Sequence, residues 1–473
     1  MAKIWLINIP ENSKKNRHLP NNGIYPNLGI HAIFSFLKEK GIDIEYNNVI
    51  DGEVVLLEEI EEKISLISNG DIVGFHISIS NYNETKEVSQ IIKIKSRDTK
   101  IIYGGPLATT KPYAILQNNQ YVDAVIAGDG EQIFYNIAKI GFENVHQDGI
   151  IKRENHMNMP SRLISCINNI EYMPSPLKHV STLEVYLNNY RITSGDTVLR
   201  PTTSYFHKTG CEQNCPFCTV PYIGRIGRSK RPETAWEETL MLHHQFGINH
   251  IYEVSDNILF SKNNQYDWFK RFAQLAPKYI PNEEVSFRFY ASTNRINKEL
   301  MHYIKLANCN TLSVGFESND DNVLSNAKSF HTSSHQNLEV FNLIKAHNLK
   351  LVAFFILGLP FENSKSIKKT YEFIKKVADY KNTTFILAAL LSPLPKTAYW
   401  TKYVMTNSYL RNKYDLSDNG NLIEPTWSIE NIAKDFNIHC SEVSVEYNKI
   451  KEYQKKIYAL RPEVFSSWAP EDF

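Results

Sequence analysis

No stretch of this 473-residue chain approaches the run of about twenty apolar side chains that a membrane-crossing helix needs, and its mean hydropathy is -0.35. No charge sign prevails either: 52 Lys and Arg stand against 51 Asp and Glu, a formal net charge of +1. Such a balance supplies no global field to hold a polyanion, which argues against nucleic acid as a partner. Glycine and proline, 20 of each, are too few for a fibrous repeat, and 42% hydrophobic residues are too many for a disordered chain. Six cysteines in this length make no disulfide scaffold. The opening MAKIWLINIP has one early lysine and a short apolar run that stops at Pro10, with no small-residue cleavage site after it. It reads as a first β-strand rather than a signal peptide, so the expected location is cytoplasmic.

What is present is a β/α rhythm. Residues 3–9, 71–79, 99–103 and 121–127 are short Ile- and Val-rich runs, and 28–40, 55–67 and 84–95 between them have helical periodicity. A further short strand is expected around 43–48. Buried strands alternating with amphipathic helices predict an α/β fold, a doubly wound parallel sheet over residues 1–140. Ligands bind such sheets beyond the carboxyl ends of the strands. The residues just past those ends are Asn8 to Pro10, Ser78 and Ser80, Gly104-Gly105-Pro106 and Gly128-Asp129-Gly130-Glu131. These glycines admit a close-lying ligand or simply form turns, and spacing does not choose between the two.

Residues 141–200 are polar and irregular and read as a linker. The rhythm resumes with strands expected at 203–208, 249–255, 285–291, 311–316, 350–357 and 384–390, and helices between them such as 232–246, 297–307 and 364–378. Six strand–helix repeats within 201–400 predict a partial barrel with its site at the strand carboxyl ends. Residues 401–473 read as a small, mainly helical C-terminal region.

Three of the six cysteines fall within eight residues, in KTGCEQNCPFCTV directly after the first barrel strand. Chance placement would give this C-x3-C-x2-C spacing with an expectation of roughly 0.001 per chain. Soft thiolates select zinc or iron–sulfur clusters. Structural zinc wants four ligands, and no second C-x2-C knuckle exists, although His207, Cys309 or Cys440 could supply a fourth. Three cysteines on a four-iron cluster would leave one iron open to another ligand.

CEQNCPFC resembles the cluster loop of radical S-adenosylmethionine (SAM) enzymes, including the aromatic residue before the last cysteine. GRSKRPE at 227–233 is similar to the basic stretch that follows the loop in that family. EVSDNIL at 253–259 resembles its acidic second-strand end, with Ser255 in place of one acid and Asp256 keeping the other. TNRIN at 293–297, VGFES at 314–318, FILGLPFE at 355–362 and SPLPKTAYW at 392–400 follow in the family's order, the last with Lys396 where a glycine is usual. NIP at 8–10, 26–41, IIYGGPLAT at 101–109 and VDAVIAGDGE at 122–131 resemble the Rossmann-like cobalamin-binding domain that precedes many radical SAM barrels.

The resemblance implies a [4Fe-4S] cluster on Cys211, Cys215 and Cys218, with SAM chelated to the open iron and cleaved reductively to a 5′-deoxyadenosyl radical. It further implies methylcobalamin as methyl donor, an external electron donor such as flavodoxin or ferredoxin, and a small-molecule substrate. Phe217, Asp256, Arg295, Glu317, Ser318 and Gly358 are the implied SAM contacts. Ser78, Gly104, Gly105, Gly128, Gly130 and Glu131 are the implied cobalamin contacts. The DxHxxG motif that places a histidine on cobalt in other cobalamin proteins is missing, and His76 reads as a satisfied strand residue. A methyltransferase is the leading expectation. A cobalamin-dependent rearrangement or cyclisation, a radical SAM enzyme whose N-terminal domain is only a scaffold, and a non-catalytic metalloprotein are the alternatives. A methylthiotransferase would need three further upstream cysteines, and only Cys166 is there.

Overall fold

Strict alternation along the first strands gives the N-terminal sheet two apolar faces. Trp5, Ile7, Val73, Phe75, Ile101 and Tyr103 enter one buried cluster, while Ile4, Leu6, Ile72 and Ile102 enter another. Strands buried on both sides require a covering layer on each, which is the condition for a parallel sheet. The computed structural model describes residues 2–9, 26–52, 57–155, 164–181, 202–222, 227–259, 267–328, 332–414 and 429–462. Pro10 and parts of 141–200 and 401–473 lie outside the described residues.

The first sheet contains Ile4–Asn8 (β1), Val49–Asp51 (β2), Ile72–His76 (β3), Lys100–Gly104 (β4), Ala124–Ile126 (β5) and Ile150–Lys152 (β6), in the order β2-β1-β3-β4-β5-β6. All neighbours are parallel except β5 and β6. Helices Leu28–Glu39 and Glu131–Ile140 cover one face. The strand order reverses between β1 and β3, the point at which such sheets open a crevice.

Two expectations shift here. The strand expected around 43–48 is instead a 3-10 turn at Tyr46–Asn48 followed by β2. Asn48 donates its side-chain amide to Ile4 O at 3.3 Å, so the turn is spent on docking the chain before it pairs. The segment read as an irregular linker contributes β6, which pairs antiparallel with β5. Its further residues Leu177 and Val180 are buried in the core of the second domain. The three-residue strand after Gly149, which has a φ of 88°, is too short to stand out as a pattern.

The second sheet is a half-barrel. Thr202–Tyr205 (β7) begins it, Lys208–Thr209 (β8) and Arg228–Ser229 (β9) form a separate two-stranded ribbon, and five longer strands follow. These are His250–Glu253 (β10), Ser286–Ser292 (β11), Cys309–Glu317 (β12), Lys350–Leu357 (β13) and Thr383–Leu390 (β14). The order β14-β13-β12-β11-β10-β7 is parallel throughout. The strand expected at 203–208 therefore breaks after Tyr205, and its continuation turns to pair with Arg228–Ser229. Leu312, Val314 and Phe316 of β12 and Leu351, Ala353 and Phe355 of β13 face the outer helices and form the core.

The C-terminal region cements the two domains. Trp400 and Ile432 are buried in the N-terminal domain's cluster, whereas Phe436, Ile450 and Ile457 are buried in the barrel's. No helix among the described residues is long and apolar enough to cross a membrane.

Candidate functional site

Barrel strands that run parallel all end at one edge, and the loop after β7 lies across it. Gly210, with φ at 91°, turns the chain into the cysteine loop. Its N–H donates to Asp256 Oδ2 at 2.6 Å, which ties the loop to the end of β10. Gln213 Nε2 donates to Ser292 Oγ at 2.7 Å and to Asn294 Oδ1 at 2.6 Å, tying it to the end of β11. Arg295 forms an ion pair with Glu212, inside the loop itself. Tyr399 N donates to Pro216 O at 2.9 Å, adding the segment after β14. Three barrel edges thus hold one loop in shape.

Within it Cys211, Cys215 and Cys218 are all free thiols, with Cys215 buried and the other two half-buried. Burial pushes the Cys211 thiol up and the Cys218 thiol up to about 12, and the neighbouring cysteines and Asp256 push in the same direction. Thiolates in such surroundings require a cation to compensate them. Among the described residues no three His, Cys, Asp or Glu side chains converge on a point that would hold one metal ion. Three cysteines with no fourth in the loop are the donor set of a cluster with one open iron, whereas structural zinc takes four ligands.

Beneath the loop the chain is stiff. His207 Nδ1 lies 2.6 Å from Glu253 Oε2, both fully buried, and Ser255 hydrogen-bonds the other oxygen of Glu253. Ser255, where the family pattern has an acid, thereby satisfies a buried carboxylate instead of adding a second one. Lys208 is buried with its Nζ donating to Ile258 O at 3.2 Å, and burial pushes its ammonium down to about 7.

The expected SAM contacts divide. Asp256, Arg295 and Glu317 stand at the strand ends beside the cysteine loop. Glu317 holds a φ of 61°, and its carboxylate lies 2.9 Å from Nζ of Lys328. Nothing in the sequence singles out Lys328; the only signal is a lysine ten residues beyond the GFES motif, in a helix-end context. Ser318, by contrast, is fully buried, its hydroxyl 3.1 Å from Thr370 Oγ1 and accepting from Asp320 N at 3.3 Å. It secures the turn after β12 and presents nothing to the edge. Gly358, with φ at 77°, is small because Asn437 of helix Ile429–His439 crowds it: a Cβ there would overlap Asn437 Oδ1. The Phe217 ring packs against the barrel core.

The N-terminal sheet has its own cavity, about 230 Å³, at the strand ends around the β1/β3 switch point. It runs down between the sheet and the two covering helices, with Leu6, Gly74, Ile102 and Ile126 on the sheet side and Ile30, Ile33 and Phe134 opposite. Gly104, Gly105, Gly128, Gly130 and Glu131 line it, as does His76 at the end of β3. His76 is therefore a half-exposed wall of the cavity and not the core residue its strand position suggested. Ser78 is absent from the lining. Its N–H and hydroxyl both donate to Asn81 Oδ1, at 2.7 and 3.2 Å, which builds the turn before helix Tyr82–Lys95.

The glycines differ in what they permit. Gly128, with φ at 94°, has no room for a Cβ because the chain's own Ser165 carbonyl occupies it. At Gly105, φ 98°, a Cβ would stand 2.8 Å from Ile77 O and 2.9 Å from the His76 ring. A Cβ on Gly104 would meet only Phe75 O at 3.9 Å, so that glycine leaves open space to the cavity. Burial, and next the charge of Asp129, push the Glu131 carboxyl up to about 7, and its Oε2 is shielded from solvent without a hydrogen-bond partner. An apolar slot with glycine walls fits the flat base of a corrinoid's nucleotide tail, with the unsatisfied Glu131 oxygen as a polar contact.

Comparison with known proteins agrees with this division. The family described as the radical SAM superfamily matches residues 205–374, and the B12 binding domain matches residues 21–138. An uncharacterized methyltransferase of Pyrococcus horikoshii is 26% identical over 419 residues, covering 87% of this chain and 84% of the relative. The bacteriochlorophyllide d C-12(1)-methyltransferase of Chlorobaculum tepidum is 28% identical over 198 residues, 40% of each chain. Among solved structures, the radical SAM methyltransferase TsrM from Kitasatospora setae, with tryptophan and a SAM analogue bound, has a TM-score of 0.65 at 15% identity. That match covers 86% of this chain and 76% of TsrM. The cobalamin-dependent enzyme OxsB, with aqua-cobalamin and SAM bound, has a TM-score of 0.69 at 16% identity, over 96% of this chain and 66% of OxsB. At these identities the two structures speak for the fold.

Proposed function

We propose that this chain, a cobalamin-dependent radical SAM enzyme of the methyltransferase kind, methylates an unactivated centre of a small metabolite or natural-product intermediate. The observation that carries the reading is the meeting of two strand-end edges, one bearing three free thiols and the other a glycine-walled slot. Side chains from the two edges touch: Arg228 of β9 reaches Asp129, and Lys396 Nζ donates to Thr109 O at 3.4 Å. Two cofactor sites that share a seam suit a reaction in which a radical is generated on one side and a methyl group is delivered from the other.

When bound, the cluster and SAM supply a hydrogen-abstracting radical and cobalamin supplies the methyl group. The chain's own contribution is binding and orientation. Cys211, Cys215 and Cys218 hold the cluster. Asp256, Gln213 and Glu212 with Arg295 fix the loop that carries it. Glu317, set at the edge by its pairing with Lys328, is the carboxylate placed to accept hydrogen bonds from SAM. Gly104 and Glu131 belong to the slot that takes the corrinoid, and a one-electron donor such as flavodoxin or ferredoxin reduces the cluster.

Protein purified without oxygen tests this directly. Iron–sulfur absorption together with corrinoid bands, and formation of both 5′-deoxyadenosine and S-adenosylhomocysteine in turnover, are expected. Deoxyadenosine without S-adenosylhomocysteine in the corrinoid-loaded enzyme would favour rearrangement or cyclisation.

A further inference from the structure

The turn that closes the slot is tied to the ribbon that closes the cysteine loop. Asp129, between Gly128 and Gly130, accepts from Arg228 Nη1 at 2.5 Å and from Ile167 N at 2.7 Å, both on Oδ2. The same Nη1 donates to Ile167 O at 2.7 Å. Arg228 Nε donates to Thr209 Oγ1 at 3.2 Å, and Thr209 is its partner in the β8–β9 ribbon. Thr209 stands two residues before Cys211. One guanidinium thus spans from the wall of the slot to the root of the cysteine loop, with 9% of its side chain exposed.

The contact is buttressed on the slot side. Residues 165–167 lie along the turn as a strap: Ser165 N donates to Ala127 O at 2.8 Å and Asp129 N to Ser165 O at 3.0 Å. Gly128 N donates to Thr109 Oγ1 at 2.9 Å, and the carbonyl of Thr109 receives Lys396 from the far side of the barrel. Lys396 stands at φ 67°, in the left-handed region where a glycine is usual. A planar fork that binds a carboxylate and a carbonyl at once fixes direction as well as distance, which a surface lysine would not do.

We infer that the Asp129–Arg228 pair is a positioning contact that sets the separation of the slot from the cysteine loop, and with it the efficiency of transfer between the two sites. The inference rests on the two-cofactor reading for its consequence in turnover, but the contact itself is a property of the bare chain. Neither residue is placed against a reacting atom. Asp129 also lines the slot, so the test falls on Arg228, which does not: its loss should leave both cofactor sites formed and the passage between them impaired.

Two measurements separate these levels. The first uses the cofactor-free chain and Cys166, whose Sγ lies 3.7 Å from Arg228 Nη1. Removing the guanidinium takes a cation away from a thiol that burial already holds up, so by charge alone Arg228→Gln should slow alkylation of Cys166. Opening of the seam would instead speed it. Peptide-resolved alkylation is expected to show at least a several-fold acceleration in Arg228→Gln, with return toward the wild-type rate in the exchanged pair Asp129→Arg with Arg228→Asp; Asp129→Asn is no test, because loss of that carboxylate speeds the thiol by charge alone.

The second uses protein loaded with cluster and corrinoid, where relaxation enhancement of the cob(II)alamin electron-spin signal by the reduced cluster reports their separation. Arg228→Gln is expected to retain iron and corrinoid, lose the enhancement, and yield at least tenfold less S-adenosylhomocysteine per deoxyadenosine. Unchanged Cys166 alkylation and unchanged enhancement in Arg228→Gln would overturn the inference. Accelerated alkylation in a protein whose wild type takes up no corrinoid would support the clamp and remove the methyl-transfer reading instead.

Discussion

The carboxylate of Glu317 and the ammonium of Lys328 form a 2.9 Å ion pair at the end of β12, with only 10% and 5% of their side chains exposed. Lys328 also donates to Gly315 O at 3.2 Å, and Gly315 has no Cβ to obstruct the Glu317 carboxylate folded back over it. A buried ammonium deprived of its ion-pair partner is costly, about 3–5 kcal/mol when one partner of such a pair is removed. Glu317→Ala should therefore lower stability by about that much and also weaken SAM binding by about 1.5–3 kcal/mol, the loss of one charged hydrogen bond. The double variant Glu317→Ala with Lys328→Met separates the effects. It should recover stability in denaturant unfolding while SAM affinity, followed by spectral titration of the clustered protein, stays low. Recovery of both would leave Glu317 with a structural role alone.

The cysteine assignment makes a sharper demand. Cys211→Ala, Cys215→Ala and Cys218→Ala should each abolish cluster assembly and reductive SAM cleavage, because no spare thiol of the chain belongs to that loop. Cys309 is buried with its Sγ on Thr311 O, and Cys440 is buried beneath the C-terminal helices. Their replacement by alanine, and that of Cys166, should leave iron content unchanged. Full iron in any of the first three variants would overturn the assignment.

Much of this architecture was legible because the signals are local. A strand such as Lys350–Leu357 is a β-prone apolar run stopped by Gly358 and Pro360, and helices Pro232–Phe246 and Ser364–Ala378 begin at a proline and at an asparagine cap. The features that escaped depend on distant segments. That Gly358 must be glycine is not visible locally, because Asn437, 79 residues on, fills the space a Cβ would need. Ser318, an implied SAM contact by its place in the GFES motif, is fully buried with its hydroxyl against Thr370, 52 residues on. The strap at 165–167 owes its place to Gly128 and Asp129, and nothing in its own ISCI sequence announces it. Lys328 lacked a recognisable pattern, since a lysine at a helix end is usually a solvated cap.

Glu131 gives the slot a pH dependence. Its carboxyl is pushed up to about 7, first by burial and then by Asp129. In the unfolded chain it ionises near its ordinary value, about 4.5, while the folded chain keeps the proton until about 7. Between those values the unfolded state releases a proton that the folded state retains, so this group's contribution makes stability fall as pH rises and level off above about 7. Glu131→Gln should flatten that portion of the profile in unfolding midpoints measured from about pH 5 to about pH 8. A profile with the same slope in both proteins would assign the effect elsewhere, for which Glu362, pushed up to about 8 by burial, is the next group to replace.

Whether the slot holds corrinoid is best tested at Gly104 and not at its neighbour. Gly105→Val would force a branched side chain into φ 98° and against Ile77 O, so any loss of ligand would be confounded with a broken turn. Gly104 ends β4 on the same face as Ile102, two residues earlier, and Ile102 lines the slot. A leucine there would project into the cavity with ordinary contacts to the backbone. Gly104→Leu should fold with an unchanged far-ultraviolet circular dichroism spectrum and assemble its cluster, which belongs to the other domain. It should retain no corrinoid. In turnover it should still form 5′-deoxyadenosine but no S-adenosylhomocysteine, while the wild type with its substrate forms both. Corrinoid bound at wild-type level by Gly104→Leu would place the ligand elsewhere. A corrinoid-loaded wild type that never forms S-adenosylhomocysteine would replace methyl transfer with rearrangement as the chemistry at this seam.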